Sequence, residues 1–110
     1  MHELAITESI VEAIVERVGE SRVETVTLVI GELSGVVADS VRFCFEVCTK
    51  GTLLEGATLE ILEVPGRAWC GACRAEVELH DPIPLCGCGS ANLEIVSGQE
   101  LTIKQVEVAV

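Results

Sequence analysis

Two cysteine pairs in one short insert constrain this chain more than any other feature of its sequence. The stretch WCGACRAEVELHDPIPLCGCGS places Cys70 and Cys73 in a C-x2-C pair, leaves twelve residues, and then places Cys86 and Cys88 in a C-x-C pair. Two close pairs at this separation are what a tetrahedral structural zinc site uses, each pair clamping the ion from one turn while glycines let backbone amides approach the thiolates. The second pair is one residue shorter than the usual knuckle. A shorter turn strains the site, so His80 stands in reserve as a substitute ligand. The competing use of Cys70-Gly71-Ala72-Cys73 is a redox dithiol, which needs the motif at a helix start to depress a thiol pKa, and nothing after Cys73 reads as that helix.

Compartment bears on the same choice. The sequence has no basic segment followed by an apolar one and no uninterrupted apolar run of about 18 residues or more, so a soluble, cytoplasmic chain is expected. Disulfides are rare there, and six cysteines then argue for a metal site or buried thiols. Eighteen acidic against seven basic side chains give a formal charge of -11, which repels phosphate backbones and anionic membrane surfaces. Nucleic acid and membrane are therefore excluded as partners. At 110 residues there is room for one ordinary domain, or for a small core plus a stapled module.

Outside the insert the pattern alternates between helix and strand. From Leu4 to Val18 the residues Leu4, Val11, Ile14, Val15 and Val18 fall at helical spacing, widened by Ile6, Ile10 and Ala13, with Gly19 placed to end the helix. Glu8, Glu12 and Glu16 lie four apart on the opposite face. Like charges at that spacing are mildly destabilising, so the apolar face must pack on something. Val23 to Ile30 is rich in β-branched residues and predicts a strand. GELSGVVADS supplies a loop with Asp39 or Ser40 as the N-cap of a second helix, whose Val41, Cys44, Phe45 and Cys48 share one face and whose end is marked by Lys50-Gly51. On that stripe Cys44 and Cys48 read as small buried hydrophobes. Ala57 to Val64 and Glu100 to Val108 predict two more strands, and a phase change in the latter around Lys104-Gln105 predicts a bulge. The division is thus 1–65 with 99–110 as one discontinuous domain, and 66–98 as the cysteine module.

The amino terminus carries the second candidate site. A large residue such as His2 protects the initiator Met from removal, which leaves a free amine on Met1. That amine, the backbone nitrogens of His2 and Glu3, and the His2 imidazole can close fused chelate rings around one ion. Nitrogen donors in a square-planar array suit Ni(II) or Cu(II) better than zinc. A helix N-terminus carries partial positive charge, which disfavours a cation, but two amides that deprotonate on binding neutralise a divalent ion.

Taken with MHEL at 1–4, the segments GELSGV at 31–36, FCFE at 43–46, GTLLEGATLEI at 51–61 and GSANLEIVSGQEL at 89–101 make this chain resemble the HypA/HybF family of nickel metallochaperones for nickel-iron hydrogenase maturation, over essentially its whole length. The resemblance implies an α+β fold in which two helices pack on a three-stranded antiparallel sheet, with a zinc ribbon module inserted before the last strand. It implies nickel at Met1, His2 and Glu3 and zinc at Cys70, Cys73, Cys86 and Cys88, the family's second pair usually being C-x-x-C. It implies as partners the GTPase HypB and the hydrogenase large-subunit precursor, with urease maturation served in some relatives; monomer and homodimer are both left open. A zinc-ribbon adaptor without nickel accounts for the insert only, and a thiol oxidoreductase for the first cysteine pair only. No nucleophile, acid and base constellation appears that would make an enzyme.

Overall fold

The fold, taken from a computed structural model, is described for residues 2–80 and 83–110. Its elements are α1 (Glu3–Val18), β1 (Val23–Gly31), α2 (Ala38–Thr49), β2 (Thr58–Val64), β3 (Arg67–Cys70), β4 (Ala75–Glu78), β5 (Leu93–Ser97) and β6 (Leu101–Val108). They form two three-stranded sheets, β2-β1-β6 and β4-β3-β5. The expected α+β class holds, with α1 and α2 packed over the first sheet.

That sheet is mixed, not wholly antiparallel as the resemblance implies: β1 pairs parallel with β2 and antiparallel with β6. The cause is the connection. The chain leaves β1, crosses through α2 and returns along the same direction, as a crossover containing a helix allows and a tight hairpin does not.

Val26, Leu28 and Ile30 of β1 turn one face toward the helices and pack with Val11 and Ile14 of α1, Val41 and Phe45 of α2, and Leu54. The bulge in β6 falls where the change of phase predicts it. Thr27 lies opposite Gln105 and Leu28 opposite Ile103, so Lys104 is the extra residue. Without it Ile103 and Val106 would point to opposite faces; with it Ile103 stays level with Leu28, and Val106 packs against the helical core.

Both helices depart from expectation at their starts. Leu4 is half-exposed, and the buried stripe of α1 runs through Thr7, Val11 and Ile14; the Thr7 hydroxyl donates to the Glu3 carbonyl at 2.7 Å, which lets a polar side chain be buried there. Helix α2 begins before Asp39 and Ser40, its N-cap being Val37, which has no capping oxygen of its own. Among the described residues no helix is long and apolar enough to cross a membrane.

The two sheets are joined at a crossing built from glycine. Gly31, Gly66 and Gly98 approach so closely that a Cβ on Gly31 would overlap the Gly98 carbonyl, and one on Gly98, whose φ is +106°, would lie 2.6 Å from the Gly66 Cα. Backbone hydrogen bonds cross here from Leu33 to Gly98 (2.6 Å) and from Glu32 to Val64 (2.8 Å). Leu33, from the GELSGV loop, is buried with Ala68 and Leu79 in a small second core beneath β3-β5. The loop is thus a plug between the sheets as well as a connection.

Candidate metal centre

Cys70 ends β3 and is hydrogen-bonded in register with Ala75 of β4 and Leu93 of β5, which fixes its backbone from both sides. The turn 71–74 carries Cys73 and leads directly into β4, a strand and not a helix. The redox reading of Cys70 and Cys73 therefore lacks the helix dipole it requires. Across from this turn the CGCGS segment brings in Cys86 and Cys88.

All four sulfurs lie within 4.8 Å of one another, with Cys70 and Cys86 buried and Cys73 and Cys88 exposed. Cys70 Sγ is 3.8 Å from Cys88 Sγ, and Cys73 Sγ is 3.9 Å from Cys86 Sγ. A tetrahedron with metal–sulfur bonds of about 2.3 Å has corners about 3.8 Å apart. The donor set and its spacing therefore fit a zinc ion bound by four thiolates. Among the described residues it is the one cluster of three or more such donors.

The shortened second knuckle is accommodated by a shortened turn. After the first pair, the Arg74 amide donates to the Cys70 carbonyl at 2.8 Å, closing over four residues; after the second, the Gly89 amide donates to the Cys86 carbonyl at 2.9 Å, closing over three. In each case the residue directly after the second cysteine adopts the left-handed conformation, Arg74 at φ 53° and Gly89 at φ 91°. One residue is removed from the spacing and one from the turn, so both sulfurs of the C-x-C pair still reach the cluster. The strain falls on Arg74, since a left-handed non-glycine residue costs about 1–2 kcal/mol. The amide of Cys73 also donates to Cys70 Sγ at 3.4 Å.

Close thiols compete for protons. Chiefly through the Cys73 amide, the Cys70 thiol is drawn down to about 7, while hydrogen bonding to Cys88, Cys70 and Cys86 pushes the Cys73 thiol up to about 12. A divalent cation resolves that competition by holding the group as thiolates, which couples its binding to proton release and to folding.

His80 is directed elsewhere. Its Nδ1 lies 3.3 Å from Glu32 Oε1 and its Nε2 lies 3.3 Å from Glu78 Oε2. Glu32 Oε1 also accepts the Gly66 amide at 3.1 Å. Gly66 first, then His80, lowers the Glu32 pKa, and the Glu32 carboxylate raises that of His80. The imidazole held in reserve for the cysteines is thus a clasp across the glycine crossing. Cys48 packs on the core as a small hydrophobe, burial raising its thiol pKa with Glu8 and Cys44 adding to it, and Cys44 is half-buried on the same helix.

At the other candidate site, Met1 lies outside the described residues. His2 is the exposed N-cap of α1. The Glu3 carboxylate accepts the Val37 amide at 3.1 Å, an interaction that lowers its pKa and satisfies the backbone amide of the N-cap residue of α2. Nothing in the sequence signals this contact, because the two residues are 34 apart.

Known proteins share both the sequence and the fold. The family profile described as "Hydrogenase/urease nickel incorporation, metallochaperone, hypA" matches residues 1–108. The chain is 51% identical over 108 residues to the hydrogenase maturation factor HypA of a Nostoc species, covering 98% of this chain and 96% of that protein. It is 50% identical over 111 residues to the protein of that name from Geobacter metallireducens, covering 98% and 99%. The solution structure of the Ni metallochaperone HypA from Helicobacter pylori is similar with a TM-score of 0.65 and 24% identity, over 98% of this chain and 97% of that one. At that identity the likeness is one of fold.

Proposed function

The chain belongs to the HypA family of metallochaperones for hydrogenase and urease nickel incorporation, and from that membership we propose that it binds Ni(II) at its amino terminus and delivers it for nickel-iron hydrogenase maturation. Zinc held by Cys70, Cys73, Cys86 and Cys88 braces the 66–98 module, while 1–65 with 99–110 forms the nickel-binding domain. The chain acts in the cytoplasm, as a carrier and not a catalyst. Its partners are the GTPase HypB and the hydrogenase large-subunit precursor, with urease maturation proteins and a second copy of the chain as further candidates.

What carries the reading is the separation of two donor sets of different chemistry within a whole-chain family match. Four close thiolates make a closed tetrahedral set suited to zinc. The terminus offers nitrogens: the Met1 amine, the His2 and Glu3 amides and the His2 imidazole, suited to square-planar Ni(II). The first amides of a helix have no intrahelical acceptor, so deprotonating them breaks no α1 hydrogen bond. Glu3 then contributes its backbone nitrogen while its carboxylate, engaged with Val37, holds the head of α1 in place.

Nickel titration of the zinc-loaded, untagged chain tests this. The parent is expected to take up one nickel; His2→Ala, or one residue added ahead of Met1, weakens uptake sharply and leaves zinc content unchanged. Parent-like nickel binding by His2→Ala moves the site elsewhere. No nickel uptake by the parent returns the chain to the zinc-ribbon adaptor reading.

A further inference from the structure

A groove of about 700 Å³ runs between α1 and α2, lined by Leu4, Val11, Val15, Val47 and Cys48 with Glu8, Glu12 and Glu16 along its α1 rim. Among the described residues neither metal site contributes to it. Leu4 and Val47 are each 50% exposed, and Phe43, one helical turn before Val47 on the same face, is 70% exposed. Large apolar side chains gathered at one solvent-facing groove mark an interaction surface more strongly than the same residues scattered singly.

We propose that this groove is the docking site for a basic amphipathic helix on a partner protein. The walls are helical and offer no unpaired strand edge, so an extended segment gains no backbone ladder there, whereas a third helix can lay an apolar stripe into the groove between the two. The rim selects charge. Glu8, Glu12 and Glu16 stand at i, i+4 and i+8, and the groove lining contains no basic side chain. Lysines or arginines at the same period along the flank of the incoming helix meet all three. Each such exposed pair is worth little in affinity, but together they steer encounter and reject acidic surfaces. A second copy of this chain, with a formal charge of -11 and the same rim, meets that rejection.

The inference rests on the metallochaperone reading only for the existence of a partner, and its test is independent of nickel. The probe is a fluorescein-labelled peptide of about 18 residues, roughly 27 Å as a helix, with leucines at i, i+3, i+4 and i+7 and lysines on both flanks; an acidic peptide of equal apolar content is the control. Anisotropy is measured against the full zinc-loaded chain, in parallel with nickel titration. The basic peptide is expected to bind, and binding should fall about tenfold or more both in a Glu8→Gln, Glu12→Gln, Glu16→Gln variant and in Val47→Asn, with nickel uptake unchanged. A charge-matched Glu20→Gln, Glu24→Gln, Glu94→Gln variant should retain it. Equal losses in the two charge variants, parent-like binding by Val47→Asn, or equal binding of the acidic peptide overturns the proposal. So does a parent dimer in sedimentation that Val47→Asn converts to monomer, which assigns the groove to a second copy. A parent that takes up no nickel but passes the peptide test leaves the groove standing and removes the metallochaperone reading.

Discussion

The Glu3 carboxylate, in the first turn of α1, accepts the backbone amide of Val37 at the start of α2 across 3.1 Å. Helix α2 has no capping side chain of its own, and Glu3 satisfies from outside the backbone amide of its N-cap residue, the bond that a Glu at N3 makes in a capping box. The same bond fixes the orientation of the residue next to His2. Glu3→Ala is therefore expected to lower the urea midpoint and to raise hydrogen exchange in the first turn of α2, while Glu3→Gln, which keeps an acceptor oxygen, recovers most of the loss. Because the bond holds the Glu3 pKa below its ordinary value, its stabilisation is present above that value and is lost as pH falls through the lowered one. Exchange in α2 that is indifferent to Glu3→Ala refutes this role for the bond.

The clasp at the glycine crossing has a pH window with two sides. Glu32, whose pKa is lowered by the Gly66 amide and then by His80, contributes above the ordinary carboxylate pKa of about 4.3 and loses that contribution as pH falls through its folded value. His80, raised by Glu32, contributes fully below the ordinary imidazole value of about 6.5 and loses it as pH rises through its folded value. Protection of the Leu33 and Gly66 amides, corrected for the intrinsic pH dependence of exchange, should be greatest between these limits; His80→Gln should remove the alkaline limb and move the acid limb toward the ordinary carboxylate value, the Gly66 amide still holding it partly down. An imidazole titrating at its free-peptide value by NMR removes the alkaline limb from the argument.

These contacts also mark where sequence pattern stops being informative. The β-branched run of β1 and the phase change at Lys104 are properties of consecutive residues, and both are legible. The parallel pairing of β1 with β2 is not, because the periodicity of a strand carries no direction. Leu33 is one apolar residue in a glycine loop and has no period to reveal that it fills the core under β3-β5. Those strands have four or five residues each, too few for alternation to stand out. The four sulfurs are legible from spacing, yet the left-handed Arg74 that helps complete the first knuckle is hidden, since its residue type argues against that conformation. His80 looks like a spare ligand beside cysteines and is claimed by Glu32, 48 residues away.

Arg74 and Gly89 give a matched pair of substitutions. Arg74→Gly removes left-handed strain and is expected to stabilise the zinc-loaded protein by about 1 kcal/mol, while Gly89→Ala introduces it and costs about the same. Chelator challenge should follow the same order, with zinc retained longest by Arg74→Gly. Thermal unfolding in which Arg74→Gly is the less stable of the two contradicts this account of the two left-handed turns.

Leu33→Ala probes the plug between the sheets. Leu33 is 7% exposed, and its neighbours in the second core are few, Ala68 and Leu79 being the other buried members. A buried Leu→Ala change costs about 2–5 kcal/mol, depending on how far the site collapses. The glycine crossing resists collapse, because Gly31, Gly66 and Gly98 are already in contact. So small a core depends on the metal for much of its stability. Leu33→Ala should therefore loosen β3, β4 and β5 selectively, shorten zinc retention under chelator and leave amide protection in α1, α2 and β1 near that of the parent. Zinc saturation should restore part of the lost protection through mass action on the folded module. Uniform loss of protection across both sheets would show instead that the crossing transmits the defect, making the two cores one cooperative unit.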